Sequence, residues 1–282
     1  MDGVADWHFI CPSCATEYST LVPRINDASF RAVIDEDQRA EGLAPVRAEG
    51  YRSILESLAT LPGVHHGRLL EVGSAHGWFL GAAANRFDAV VGIEPDDAVR
   101  TQPVNKRATV RAGYFPDSVE AGELFDAIVF NDVFEHIPRT SDVAKAIAAH
   151  LTPGGVALIS LPVNTGFIYR SSKAMARWGY AEPFKRMWQY GYPSPHLYYF
   201  SNQGLARLFE LAGLQLSMMK PLPTLRVNGL WQRIRYGEDS LPRAAVSYVA
   251  ALALAPVLGC LSPDTCAFFF RSADTSSTVE KT

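Results

Sequence analysis

The chain has 282 residues, 48% hydrophobic and 20% charged, which places it among globular proteins and suffices for one large domain or one domain with an elaboration. A formal net charge of -3 gives no global electrostatic reason to bind DNA or RNA, so a nucleic-acid partner is not expected. The first twenty residues carry Asp2 and Asp6 and lack a basic start and an apolar run, which argues against export and predicts a cytoplasmic protein. Four cysteines are too few for a disulfide scaffold in a chain this long and read as reduced thiols.

Residues 1–45 hold Cys11-Pro12-Ser13-Cys14 and a charged run from Asp35 to Glu41, with neither strand alternation nor a helical stripe, and read as an N-terminal appendage. A compact domain is predicted over 46–271. It opens with a helix in which Ile54, Leu55, Leu58 and Leu61 share one face, ended by Pro62-Gly63. Short apolar runs then predict strands at 68–72, 89–93, 108–111, 126–131 and 155–161, with helices at 77–86, 96–101 and 141–151 between most of them. Residues 164–200 differ in kind, combining eleven aromatics with Arg170, Lys173, Arg177, Lys185 and Arg186 against Glu182 alone. A helix at 202–213, a strand at 214–219, a helical insertion over 221–263, a last strand at 266–270 and a disordered tail over 272–282 complete the chain. The alternation implies an α/β fold, a doubly wound, mostly parallel, Rossmann-like sheet of seven strands with the last one antiparallel. Ligands of such sheets bind at the carboxyl ends of the strands.

The unusual residues fall at those ends. Glu71-Val72-Gly73-Ser74-Ala75-His76-Gly77 places an acid and then small residues between a strand and a helix, where only small residues let backbone N–H groups approach a ligand. Glu94 ends the next strand, 21 residues after Gly73, where a carboxylate can accept hydrogen bonds from both hydroxyls of an adenosine ribose. These two features suit a nicotinamide cofactor and S-adenosylmethionine equally. The third element separates them: Asn131-Asp132-Val133-Phe134-Glu135-His136-Ile137 at a strand end, followed by Pro153-Gly154-Gly155. Taken in order, these motifs resemble class I S-adenosylmethionine-dependent methyltransferases, in particular the bacterial group related to ubiquinone-pathway O-methyltransferases, over about residues 50–220.

The resemblance implies S-adenosylmethionine as cofactor. It implies that Glu71, Gly73 and Gly77 frame the amino-acid end of the donor, and that Gly113, Tyr114 and Phe115 flank its adenine. Asn131 and Asp132 would close the site at the fourth strand, with Glu94 on the ribose. Ala75 stands where the family commonly has a second glycine and is the smallest replacement for it. Oxygen is favoured over nitrogen or carbon as the methylated atom by the same resemblance. His136 and His196 are the candidates for proton removal from an acceptor hydroxyl, although His136 could instead merely cap the turn. The stretch after Asn131 lacks the Asn-Pro-Pro-aromatic pattern with which methyltransferases acting on exocyclic base amines hold a flipped base.

The aromatic and basic segment 164–200 lies where related enzymes place an acceptor lid. Aromatic faces there could stack on a sugar or ring, and Arg170, Lys173, Lys185 and Arg186 could meet phosphates or carboxylates; its plain alternative is an extra apolar layer with a solvated basic face. No metal site is expected. Cys11 and Cys14 have half of a zinc knuckle, which Cys260 and Cys266 or His8 would have to complete, and a vestigial loop is the alternative. Ala244 to Pro263 carries no charge but is alanine-rich and broken by Pro256 and Gly259, which predicts a packed or interfacial helix and a peripheral membrane contact through 226–263 rather than a span. The expected activity is methyl transfer to a hydroxyl of a small-molecule or lipid-linked acceptor, such as a sugar or polyketide-like compound. A nicotinamide-dependent oxidoreductase and a non-catalytic donor-binding protein are the rivals.

Overall fold

Each central strand buries both of its faces, so its residues divide by parity into two cores. Leu70, Val72, Ile128, Phe130, Ala157, Ile159, Phe268 and Phe270 point to one side, and Leu69, Ala127, Val129, Val156, Leu158, Ala267 and Phe269 to the other. The computed structural model describes residues 3–25, 27, 49–100, 105–223, 230–237 and 240–272.

After a short hairpin of β1 (His8–Ile10) and β2 (Glu17–Ser19), residues 49–60 form helix α1, and the sheet starts with β3 (Arg68–Val72). There follow α2 (Trp78–Ala83), β4 (Ala89–Glu94), β5 (Ala108–Ala112), β6 (Phe125–Asn131), α3 (Thr140–His150) and β7 (Leu151–Pro162). Next come α4 (Phe167–Arg177), α5 (Glu182–Met187), β8 (Tyr198–Tyr199), α6 (Asn202–Glu210), β9 (Leu214–Leu222), α7 (Leu230–Gly237), α8 (Leu241–Gly259) and β10 (Thr265–Ser272). The seven-stranded sheet runs β5-β4-β3-β6-β7-β10-β9, with β10 antiparallel to both neighbours and the rest of the ladder parallel. Helices α1 and α2 cover one core and α3 and α6 the other, as a doubly wound sheet requires.

A second unit sits on the carboxyl end of this sheet. Strand β2 pairs with β8, so the start of the chain and residues near 198 form a three-stranded sheet, β1-β2-β8. Beneath it Trp7, Tyr169, Phe184, Trp188 and Tyr199 make a separate aromatic core. Glu17 is buried at its centre, where its Oε2 accepts from Tyr169 Oη at 2.8 Å and Lys173 Nζ at 2.6 Å and faces His8 Nε2 at 2.7 Å. The two basic groups outweigh the cost of burial and hold the Glu17 carboxyl below its ordinary value. The N-terminal residues therefore do contain strands, against the sequence reading: three-residue strands with a polar hairpin tip carry too little alternation to read, and their partner β8 lies some 180 residues away.

One other expectation changes. Residues 96–100 form a turn instead of the start of a helix over 96–101, and residue 101 lies outside the described residues. The uncharged segment forms the helix α8 as expected, and no described helix is long and apolar enough to cross a membrane. The run Asp35 to Glu41, Arg226 and the expected tail beyond Ser272 lie outside the described residues. Cys11 and Cys14 flank the hairpin tip; Cys266 is buried in β10 and His8 is committed to Glu17, so among the described residues nothing completes a zinc site with them.

Candidate functional site

The carboxyl ends of β3, β4 and β6 and the β1-β2-β8 unit above them enclose a cavity of about 760 Å³, within the range of small-molecule sites. Its floor is backbone. Gly73, Ala75 and Gly77 all take left-handed conformations between β3 and α2, with φ of 74°, 43° and 71°. For Ala75 this is a strained state, and Glu94 holds it there: Glu94 Oε2 accepts from Ala75 N and Oε1 from Asp96 N, each at 2.8 Å. Burial raises the Glu94 carboxyl above its ordinary value, against the pull of those two N–H donors. Gly92 lets the turn close on β4, since a Cβ there would collide with Ser74 and Leu80.

Beside Glu94, Ile93, Pro95, Val99, Gly113, Tyr114 and Phe115 make a mostly apolar slot. Tyr114 is exposed over its mouth, whereas Phe115 is buried edge-on against Phe130 and so belongs as much to the core as to the slot. On the other side, Asn131 and Asp132 end β6. Asp132 is itself left-handed, with φ 55°, and its N–H donates to Ser160 O at 2.8 Å. Asn131 Nδ2 donates to Glu71 Oε1 at 3.2 Å, while Asn131 Oδ1 is buried with no hydrogen-bond partner among the described residues.

Of the predicted donor residues, Gly73, Ala75, Glu94, Gly113, Tyr114, Phe115, Asn131 and Asp132 line this cavity. Glu71 and Gly77 do not. Glu71 lies under Asn131 and fixes its amide, and Gly77 starts a helix of only six residues.

The upper wall brings His136 and His196 together with ring centroids 4.7 Å apart, although 60 residues separate them in sequence. Their Nε2 atoms are each 4.0 Å from Oε1 of the fully buried Glu135. Burial lowers His136 below its ordinary value and lowers His196 further, helped by the adjacent His136, so both rings are neutral near pH 7. Their tautomers follow from their partners. His136 Nδ1 donates to Pro195 O at 2.8 Å, which leaves the Nε2 lone pair for a proton. Gln189 Nε2 donates to His196 Nε2 at 2.9 Å, which occupies that lone pair and puts the proton of His196 on Nδ1. The base role thus fits His136 better than His196. Glu135, His136 and His196 offer three ligand atoms within 4.8 Å of one another, a spacing that could hold a cation at a place where no metal site was expected.

The lid segment contributes differently from its sequence reading. From 164–200 only Gln189, Ser194 and His196 reach the cavity. Trp188 is fully buried in the aromatic core, Lys173 is paired with Glu17, Lys185 with Glu182, and Arg170 and Arg186 point to solvent. Pro23 and Ile25 of the appendage line the cavity instead, which no local signal announces because they arrive through the β2–β8 pairing. Glu135 was within the quoted motif, but its burial between two histidines depends on the same pairing. As a result the described lining contains Glu94, Asp96, Asp132 and Glu135 and neither lysine nor arginine.

The comparisons agree with the fold. The sequence matches the methyltransferase-domain family over residues 45–217. No curated protein matches the chain. Among solved structures, the mycolic acid cyclopropane synthase CmaA1, complexed with SAH and CTAB, superposes with a TM-score of 0.58 at 17% identity, covering 79% of this chain and 83% of that one. The cyclopropane synthase MmaA2 from Mycobacterium tuberculosis gives 0.55 at 17% identity, covering 78% and 82%. A SAM-dependent methyltransferase from Archaeoglobus fulgidus gives 0.53 at 14% identity, covering 87% of this chain and all of that one, 100%.

Proposed function

The chain belongs to the methyltransferase-domain family, and from that premise we propose that it transfers the methyl group of S-adenosylmethionine to a hydroxyl of a small-molecule or lipid-linked acceptor, such as a sugar or polyketide-like compound. The family match covers the methyltransferase domain as a whole and does not single out the ubiquinone-pathway group. One observation carries the choice of donor: the described cavity wall holds four carboxylates and no lysine or arginine. S-adenosylmethionine brings a sulfonium and an ammonium to such a wall, both stabilised by acids, whereas the pyrophosphate of a nicotinamide dinucleotide would find no cationic side chain among the described residues of the wall.

The residues present fit that donor. Asn131 Oδ1 is a buried acceptor that a cationic donor group would satisfy. The Glu94 carboxylate retains lone pairs beyond the two it gives to Ala75 and Asp96 and with them would accept from a ribose diol, and the slot from Pro95 to Phe115 would take a planar ring. When bound, the donor supplies an electrophilic methyl whose displacement needs an in-line nucleophile in a dry pocket. Above it, His136 Nε2 takes the proton of the acceptor hydroxyl as the nucleophile forms, while Pro195 O fixes the ring through Nδ1. Gln189 holds His196 beside it, and the buried Glu135 shapes the wall. The lack of lysine or arginine among the described residues of the wall favours a neutral reacting end on the acceptor. Helix α8 leaves Leu241, Val246 and Val249 exposed, which supports a peripheral membrane contact within 226–263 for a lipid-linked acceptor.

Calorimetry with S-adenosylmethionine and with NAD tests the donor: binding of the first and not of the second is expected, and the reverse would make the oxidoreductase reading the better one. Release of S-adenosylhomocysteine with a panel of hydroxylated sugars and polyphenols tests the transfer. In that assay His136→Asn lowers turnover by about 10²–10⁴-fold with donor affinity unchanged; normal turnover would reduce His136 to a turn cap. No release with any acceptor class would favour a non-catalytic donor-binding protein.

A further inference from the structure

Helix α4 turns its apolar side outward. At 100° per residue Phe167, Ile168, Ser171, Ala174, Met175 and the following Trp178 fall on one side, and Tyr169, Ser172 and Ala176 on the opposite side, against the aromatic core. Phe167, Ile168, Met175 and Trp178 are all exposed, Trp178 at 91%. Arg170 and Arg177 stand together on one flank of the stripe, both exposed. The chain that follows adds Tyr180, Tyr190 and Tyr192, exposed as well, and an exposed Arg186. The single acid of the segment, Glu182, is paired with Lys185 at 2.8 Å.

None of these residues lines the cavity, so the face is not explained by the acceptor chamber. Nor is it loosely held. The Asp264 carboxylate accepts from the N–H groups of Ile168 and Tyr169, at 3.2 and 2.9 Å, and Phe167 N donates to Ser262 O. The start of the striped helix is thereby anchored to the turn that follows the uncharged stretch of α8, a second helix with exposed apolar side chains.

We propose that the outer face of α4, with Trp178 and Tyr180 at its end, is a docking surface for an anionic lipid bilayer. The chemistry is that of an interfacial helix. Phenylalanine, isoleucine, methionine and tryptophan enter the boundary between headgroups and chains, tyrosines sit at headgroup level, and arginines on the flank reach lipid phosphates while their stems stay along the apolar face. The near-absence of acid in the segment makes the attraction specific for negative headgroups. The proposal stands on this face alone and does not require methyl transfer.

Flotation of the full-length protein with vesicles tests it. Binding to phosphatidylcholine–phosphatidylglycerol vesicles in a 3:1 ratio is expected to exceed binding to pure phosphatidylcholine vesicles by about tenfold or more at low salt. Trp178→Ser with Met175→Ser lowers binding about tenfold on both kinds of vesicle. Arg170→Gln with Arg177→Gln lowers it on the anionic vesicles only. Donor binding by calorimetry stays unchanged in all of these variants, which separates a lost surface from a lost fold. The proposal is overturned if the wild type does not float with anionic vesicles, or if the variants float as well as it does. It is also overturned if sedimentation shows a dimer that Trp178→Ser converts to monomer, which would assign the face to a second copy of the chain.

Discussion

In the lower half of the cavity the groups proposed to hold the donor are fixed at adjacent strand ends of one sheet: Glu94 by the N–H groups of Ala75 and Asp96, Asp132 by Ser160 O, and Asn131 by the Glu71 side chain on the neighbouring strand. In the upper half, the groups proposed to meet the acceptor sit in a cap whose packing joins the first twenty residues to residues 169–199. His196 stays in place because Trp7, Tyr169, Trp188 and Tyr199 pack behind it and because Glu17 ties the first hairpin to α4. The contrast explains how one fold can keep its donor chemistry while changing its acceptor. A sheet end positions a ligand through geometry common to all sequences of that fold, whereas a side-chain-built cap can be repacked without touching the sheet.

The largest test breaks the cap alone. Trp188→Ala removes a fully buried indole and is expected to lower stability by about 3–5 kcal/mol, with the loss confined to the β1-β2-β8 unit in hydrogen exchange. Donor affinity should stay within about twofold. A cap that behaves this way counts against the expectation that the aromatic faces of 164–200 stack on the acceptor; a normal melting curve with defective acceptor binding would restore it. A smaller effect is expected in the sheet-end half. Glu94→Ala loses the charged hydrogen bonds to the ribose and frees Ala75, and should weaken S-adenosylmethionine by about 1.5–3 kcal/mol in calorimetry. Unchanged affinity would place the ribose elsewhere and erase the distinction between the halves.

The smallest test sharpens the comparison by showing that the sheet carries its own electrostatics. Arg111, with Arg68, brings the Glu123 carboxyl from its usual 4.5 down to about 2. A carboxyl depressed on folding contributes stability that is complete above its unfolded value and is lost as pH falls through the folded one. The sheet should therefore lose this contribution between about pH 4.5 and 2, and Glu123→Gln should flatten the fall in chemical-denaturation stability across that window. The histidine pair has the same sign at higher pH: both are depressed, so protonating them as pH drops below the usual 6.5 works against the closed cap. An identical acid profile for wild type and Glu123→Gln would show that the ion pair contributes nothing measurable.

The amino-acid sequence by itself determined the parallel sheet and its order of motifs. Continuous apolar runs such as Ala127 to Phe130 and Val156 to Leu161 can be satisfied only with both faces covered, and the small residues from Gly73 to Gly77 admit a tight turn at a strand end. Both requirements are written in consecutive residues, whichever part of the chain comes to meet them. Only the tertiary structure decided which aromatic and charged residues of 164–200 point inward, that Glu71 supports Asn131 instead of facing the cavity, that Pro23 and Ile25 close the chamber, and that Glu135 lies between two histidines. The placing of 164–200, of Pro23 and Ile25 and of Glu135 depends on pairing between β2 and β8 across most of the chain, and that of Glu71 under Asn131 on the pairing of β3 with β6. A two-residue strand joined to a three-residue one leaves no periodicity to read, and its stability comes from side chains that meet only after the sheet beneath them has formed.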